Sequence, residues 1–255
     1  MTDSPPSDVI DLAGPIEAWE LQDQTNHRPD RCWLTEEHAI KAVPSGEGDR
    51  LAVEAANSRW LGAHVPTAAP LLESADTDRA WLVSERLAGF PAHRPDLHGD
   101  VGSLADIAGR ALRDMHTISI DEAPDGMERG WDAIAATAES AVATGIAEVD
   151  EPYRRYAADE LLAMWRDGRP DMEDLVVCHG DPSLPNLIAH RGELTGWVDL
   201  GGMRIADRHL DLAHAHASVH RNLGPEAVYV FYDAYGTDAN LIHLDHYLLA
   251  KQLLP

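Results

Sequence analysis

This chain of 255 residues has little positive charge: 20 lysines and arginines stand against 44 aspartates and glutamates, a formal charge of −24. Nucleic acid is therefore not an expected partner, because phosphate backbones are held by a basic footprint. A field of this sign draws in cationic small molecules instead. Cysteine is nearly absent. Cys32 and Cys178 are too few for a disulfide framework, and Cys178 lies in an apolar run where a buried thiol is expected. No apolar run approaches the ~20 residues of a membrane span, so no membrane is expected as a partner. The opening residues, MTDSPPSDVIDL, lack a basic segment followed by an apolar one, so no signal peptide is expected and the chain reads as cytoplasmic. What remains, 44% apolar and 25% charged residues, is an ordinary globular composition, sized for one large or two small domains.

The informative stretch covers residues 176–211, VVCHGDPSLPNLIAHRGELTGWVDLGGMRIADRHLD. Asp181 follows His179 and Gly180 at the end of an apolar run, and Asn186 stands five residues later. Asp199 closes a second apolar run, 194–198, and precedes Leu200-Gly201-Gly202. These are the residue types and spacing that phosphoryl transfer requires: an acid to take the hydroxyl proton, an Asn, and an acid just before Gly. Magnesium is a hard ion that takes oxygen ligands and keeps several waters, so the Asn186 amide and the Asp199 carboxylate suffice beside phosphates. Each piece alone is an ordinary strand-to-loop junction or turn; the three in order form a motif hypothesis.

The segment HGDPSLPNLIAHRGELTGWVDLGGMRIADRHLDLA resembles the aminoglycoside phosphotransferases, above all the 3'-type and streptomycin 3''-type enzymes. Their pattern is HGD-x-C-L-P-N, then G-[FL]-I-D-x-G-R-x-G-x-A-D-R, then a D-x-A-L-A-like helix. Ser183 replaces the usual Cys, and Gly202 the usual Arg. The resemblance implies an α+β, protein-kinase-like fold of two lobes: a small β-rich N-lobe over 1–87 and a larger, mainly helical C-lobe over 88–255. It implies transfer of the γ-phosphoryl of ATP or GTP, with magnesium, to an aminoglycoside hydroxyl, giving resistance by inactivation. Asp181 would be catalytic, and Asn186 and Asp199 would hold the metal. The expected partners are the nucleotide and a cationic small molecule, on a monomer or homodimer.

Along the rest of the chain, residues 1–15 are polar and proline-bearing, and partial disorder is expected. Residues 16–43 read as short strands, with 35–37 as a turn. Lys41 in Ala39-Ile40-Lys41 resembles the kinase lysine that grips the α- and β-phosphates. Residues 49–62 read as a helix with Leu51, Ala55, Ser58 and Leu61 on one stripe, and Glu54 within it resembles the acid that positions Lys41. Residues 22–31, QDQTNHRPDR, contain no glycine where a phosphate-covering loop is expected, which would leave Asn26 and Arg28 to help backbone amides. Two more strands are expected at 70–74 and 80–83, followed by a linker, 84–89, whose backbone at Ser84 and Arg86 is assigned to adenine. Helices are expected over 103–118 with Ser103 as N-cap, 132–145, 153–166 and 241–254.

By resemblance, Glu148, Asp150 and Glu151 fall where 3'-type enzymes bind the drug's ammonium groups; an ordinary helix N-terminus is the plain alternative. In that family the closing helix ends in acids, whereas here it ends Lys251-Gln252-Leu253-Leu254-Pro255, leaving only the Pro255 carboxylate as a substrate ligand. His209, His214, His216 and His220 raise a zinc alternative, which their helical spacing and the lack of a thiolate oppose. Other readings stay open: a kinase of a viomycin-like peptide, a macrolide or an amine alcohol; a catalytically weak nucleotide-binding protein; and a metal-dependent hydrolase built on His179, Asp181, Asp199 and the downstream histidines.

Overall fold

The computed structural model describes residues 5–22, 30–147, 149, 153–171 and 173–254. The chain divides into two compact units, Met1–Gly89 with Thr195–Gly201, and Phe90–Leu194 with Gly202–Pro255. The first unit thus takes in nine residues, 88–89 and 195–201, that the sequence boundary at 87 places in the second lobe.

The first unit opens on α1 (Ser7–Ala13), where partial disorder is expected. Val9 and Ala13 are buried there with Ile40, Ala42, Trp81 and Val83, so apolar burial orders a segment whose composition looks solvated. A five-stranded sheet follows, built from β1 (Glu20–Leu21), β2 (Arg31–Leu34), β3 (His38–Pro44), β4 (Pro70–Ala75) and β5 (Arg79–Glu85) in the order β1-β2-β3-β5-β4. The pairings β1–β2, β2–β3, β3–β5 and β4–β5 are all antiparallel.

Strand alternation decides the rest of this unit. Ile40 and Ala42 point to the α1 face, where Trp33 and Trp81 stack with ring centroids 5.7 Å apart. Val43 faces the other side, with Leu82 and Ala80, against Leu51 and Ala55 of α2 (Gly48–Leu61). Lys41 is two residues from Val43 and so shares the face that α2 covers.

The second unit begins with β6 (Phe90–Pro91), α3 (Pro95–His98) and α4 (Val101–His116). The N-cap of α4 is Asp100, which accepts from the Gly102 amide at 3.0 Å, and not Ser103 as the sequence suggests. A carboxylate upstream takes the orphan amide and extends the helix by two residues. Then come α5 (Gly130–Thr144) and α6 (Ala158–Asp167), joined through the stacked rings of Trp131 and Trp165. The helix expected from 153 begins at Ala158, because Tyr153–Arg155 forms a separate single turn.

Strands β7 (Leu175–Cys178), β8 (Leu187–His190), β9 (Glu193–Trp197) and β10 (Arg204–Asp207) follow. β10 pairs antiparallel with β7 in the register Cys178↔Arg204 to Leu175↔Asp207. The chain ends in α7 (His209–Leu223), α8 (Pro225–Tyr235) and α9 (Leu241–Lys251). α4 lies hard against α8: a Cβ on Gly109 would sit 2.3 Å from the Phe231 carbonyl oxygen, so only glycine permits this approach. Among the described residues no helix is long and apolar enough to cross a membrane.

Candidate active site

In the first unit, three charged residues distant in sequence meet at one ammonium group. Lys41 Nζ lies 2.8 and 2.7 Å from the two oxygens of Glu54 and 2.8 Å from Asp199 Oδ1. Glu54 reaches Lys41 because α2 covers the face of β3 from which Lys41 projects. Burial pulls the Lys41 ammonium down, but Glu54 and Asp199 outweigh it and hold its pKa above the ordinary lysine range. The cation therefore persists at any physiological pH.

Asp199 has φ +61°, a left-handed conformation that non-glycine residues rarely adopt and that costs about 1–3 kcal/mol. The turn after it is fixed by Asn57 of α2, whose side-chain amide donates to the Leu200 carbonyl at 2.8 Å. The Asp199 side chain stays 56% exposed, against 13% for Glu54, so it is the carboxylate of this cluster that solvent and ligands can reach.

In the second unit, β7 is buried along Val176, Val177 and Cys178 and delivers His179-Gly180-Asp181 at its end. Gly180 has φ +93°, and a Cβ there would lie 2.1 Å from the Gly202 carbonyl oxygen, so both backbone shape and space demand glycine. Asp211 on α7, wholly buried, shapes this turn: its two oxygens accept the His179 amide at 2.7 Å and the Gly180 amide at 2.9 Å. Burial pushes the Asp211 carboxyl up, but His116, His179 and the Gly180 amide more than offset it and hold it below the ordinary range. His116 lies 3.2 Å from Asp211 and 2.7 Å from the Tyr235 hydroxyl. It is thus a packed histidine held between two specific partners. The Cys178 thiol is fully buried, and burial raises its pKa well above the ordinary value.

Asp181 is half exposed. Its amide donates to His179 Nδ1 at 3.3 Å, and the Asn186 side-chain nitrogen donates to its carbonyl at 2.9 Å and its Oδ2 at 3.1 Å. Since the nitrogen of Asn186 serves Asp181, its oxygen end is the one left for a cation. Asn186 in the second unit and Asp199 in the first each present an oxygen donor of the hard kind that magnesium prefers.

One neighbour of Asp181 escapes the sequence reading. His214, 6% exposed, places Nδ1 3.6 Å from Asp181 Oδ1, and neither ring nitrogen has a hydrogen-bond partner among the described residues. Burial raises the Asp181 carboxyl, but His214 first, then His179 and Lys251, outweigh it and hold it well below the usual carboxylate range. The signal was present: His214 stands where the D-x-A-L-A pattern has Leu. In the sequence alone its place among the other histidines points only to a metal set.

The remaining assignments fare differently. Glu148, Asp150, Glu151 and Pro255, and the suggested phosphate helpers Asn26 and Arg28, lie outside the described residues. The linker assignment needs correction: Ser84 is still strand, in register with Ala39 on one side and Pro70 on the other. The Arg86 amide donates to the Glu37 carbonyl at 2.8 Å, so only its carbonyl remains for a ligand. Asp207 and Arg208 brace the second unit, Arg208 through Asp174 at 2.6 Å. The four histidines weighed as a zinc set do not converge: His209 bonds to Asp207, His214 faces Asp181, and His216 lies 3.3 Å from the Tyr232 hydroxyl.

Residues 26–245 match the model of a family described as the phosphotransferase enzyme family. The aminoglycoside 3'-phosphotransferase of Streptomyces fradiae is 32% identical over 75% of this chain and 72% of its own. The streptomycin 3''-kinase of Streptomyces griseus is 34% identical over 68% of this chain and 66% of its own. Among solved structures, the aminoglycoside phosphotransferase APH(3'')-Id of Streptomyces rimosus superposes with a TM-score of 0.80 at 24% identity, over 92% of each chain. In its complex with ADP and streptomycin the TM-score is 0.77 at 23% identity, over 97% of this chain and 96% of that one. That likeness shows the fold, the α+β protein-kinase-like fold expected from the motifs. With the family model covering most of the sequence and the site carrying its HGD and Asp-Leu-Gly signatures, the chain belongs to the phosphotransferase enzyme family.

Proposed function

We propose that this protein transfers the γ-phosphoryl group of ATP or GTP to a hydroxyl of an aminoglycoside antibiotic and so inactivates it. The observation that carries the reading is the cluster of Lys41, Glu54 and Asp199, which serves a triphosphate better than any structural need. The relatives are named for phosphorylating aminoglycosides at 3' or 3'' hydroxyls, and the chain's charge of −24 suits a polycationic acceptor.

In the reaction the acceptor oxygen forms a bond to the γ-phosphorus as the bond to the bridging β,γ-oxygen breaks, and the nucleoside diphosphate leaves with the electron pair. Asp181 accepts the hydroxyl hydrogen as a hydrogen bond and takes the proton late. A carboxylate held so far below its ordinary range is a weak base, which suits the loose transition state of phosphoryl transfer. Lys41, steadied by Glu54, grips phosphate oxygens. Asn186 and Asp199 would hold magnesium, which when bound neutralises charge on the β- and γ-phosphates. Adenine would meet the carbonyl of Arg86 rather than its amide. The nucleotide requirement and the buried free thiol of Cys178 both suit the cytoplasm.

A second acceptor class is favoured by two particulars. Gly202 stands where the family has Arg, and Lys251, whose charge Asp181 feels, ends the closing helix, which carries acids in 3'-type enzymes. Another hydroxylated amine or peptide then replaces the kanamycin-type drug. The test is incubation with ATP or GTP and, in turn, kanamycin, neomycin, streptomycin and viomycin, followed by mass spectrometry. One added phosphate on any aminoglycoside supports the proposal. Phosphorylation of viomycin alone moves it to the second class, and nucleotide binding without any product sinks it.

A further inference from the structure

Away from the residues of phosphotransfer, three side chains of the second unit turn their ligating atoms toward one point. Asp207 closes β10, His209 opens α7, and His243 lies in the first turn of α9. Each offers one ligand atom, and the three atoms lie within 4.8 Å of one another. His209 Nδ1 is 2.7 Å from Asp207 Oδ1 and 3.3 Å from His243 Nδ1. Two imidazole nitrogens facing each other at that distance pose a problem for hydrogen bonding alone. A ring nitrogen has a single in-plane position, which holds either a proton or a lone pair. If His209 directs its N–H at Asp207, it has no lone pair left for His243. If it directs a lone pair at His243, it faces an anionic oxygen with no proton between them.

A cation at the centre removes the conflict, because all three atoms then present lone pairs to it. We propose that Asp207, His209 and His243 form a binding site for a divalent transition-metal ion, zinc being the best match to two imidazoles and one carboxylate. A tetrahedral zinc with bonds of about 2.0–2.1 Å spaces its nitrogen ligands about 3.3 Å apart, and the two Nδ1 atoms are already at that separation. The Asp207 contact is shorter and opens by a few tenths of an ångström on loading. Magnesium is disfavoured, since imidazole nitrogens suit zinc, nickel, copper and cobalt.

The surroundings match what a metal ligand set requires. Asp207 Oδ2 accepts the Asp174 amide at 3.0 Å and Oδ1 the His209 amide at 2.8 Å, so the carboxylate is oriented from behind. Asp207 is 1% exposed and ionised: burial pushes its carboxyl up, but His209 and the two amides hold it below the ordinary range. One turn along α9, His246 stacks on Trp165, and its Nε2 is buried without a hydrogen-bond partner among the described residues. His246 does not join the three ligating atoms, so the fourth position falls to water. The set differs from the four histidines that sequence spacing suggested, because two of its members lie off α7.

The site joins the start of α7 to α9. His209 stands two residues before Asp211, which shapes the turn at His179 and Gly180, so a bound ion stiffens that region without touching the reacting groups.

The test uses the full-length, untagged protein stripped with a chelator, then titrated with zinc against a chromophoric zinc indicator. The wild type is expected to remove one equivalent per chain from the indicator and to gain several degrees in Tm with zinc. His243→Ala, checked for folding by circular dichroism, is expected to lose at least tenfold in zinc affinity and all of the Tm gain, whereas His220→Ala keeps both. A wild type that takes no zinc from the indicator, or a folded His243→Ala that binds like the wild type, overturns the site. If His243→Ala does not fold, His209→Gln takes its place under the same criteria. Phosphotransfer is not the readout, so the two proposals fail separately.

Discussion

Asp181 is the proposed acceptor of the hydroxyl proton, and its immediate contacts predict what its loss does. Replacing it with Ala removes the hydroxyl's acceptor, and kcat is expected to fall about a thousandfold, within the range of positioned acid–base groups, while nucleotide affinity measured by calorimetry stays near wild type. Unchanged turnover in Asp181→Ala rules out the mechanism. Glu54→Gln leaves Lys41 with Asp199 alone, so the KM for nucleotide is expected to rise with a smaller effect on kcat. His214 supplies a pH prediction. The folded pKa of Asp181 is depressed, so the carboxylate is ionised from below its unfolded value of about 3.9 upward. A profile of kcat/KM from pH 5 upward should show no acid limb from this residue. His214→Leu removes the first of the groups that hold it down, and Asp181 should then titrate at higher pH, read from its carboxyl carbon shift by NMR.

Two glycines that face each other, one after β7 and one before β10, separate the effect of shape from that of space. Gly180 links β7 to Asp181 with φ +93° and its would-be Cβ 2.1 Å from the Gly202 oxygen. Gly180→Ala is expected to abolish activity and lower Tm by several degrees. A Cβ on Gly202 instead meets the His179 carbonyl oxygen at 3.6 Å, an ordinary contact, so Gly202→Ala should be nearly neutral in both assays. If both variants behave alike, the turn is not held as described. Element positions were legible wherever apolar periodicity was strong: β3, α2, β5 and α4 stand within two residues of expectation. Their ends were less legible, because capping decides them. Asp100 and Ser103 are both good N-caps, and only packing of the helix start chooses between them. α1 was missed because two buried residues, Val9 and Ala13, are too few to make a periodic signal.

For the whole molecule, buried ionisable groups set how stability depends on pH. Asp207 and Asp211 have folded pKa values below their unfolded ones, so their contribution is fully present above about pH 3.9 and is lost as pH falls through the folded values. His246 works in a higher window. Burial first, then His243, lowers its pKa to about 4. The unfolded chain therefore binds a proton below about pH 6.5 that the folded chain refuses, and stability falls as pH drops from there toward 4. In the presence of chelator, His246→Phe should flatten that decline by about one proton in the slope of unfolding free energy against pH; an unchanged slope refutes it. The charge of −24 predicts that the KM for a polycationic acceptor rises several-fold with added salt, while that for a neutral acceptor does not.

The sequence by itself determined the chemistry and its polarity. HGD-x4-N, Asp-Leu-Gly and Ala-Ile-Lys supply the proposed reacting groups, because those functions require those side chains at those spacings, whatever surrounds them. Helix and strand type follow from periodicities of 3.6 and 2, which are local. Only the tertiary structure decided who meets whom. Lys41 and Asp199 are 158 residues apart in sequence; His116 reaches Asp211, His214 faces Asp181, and His243 comes to His209, each across a distance along the chain that no spacing rule spans. A histidine's role depends on the acid or nitrogen opposite it, and that partner is chosen by the packing of elements, not by the neighbours it has in the chain.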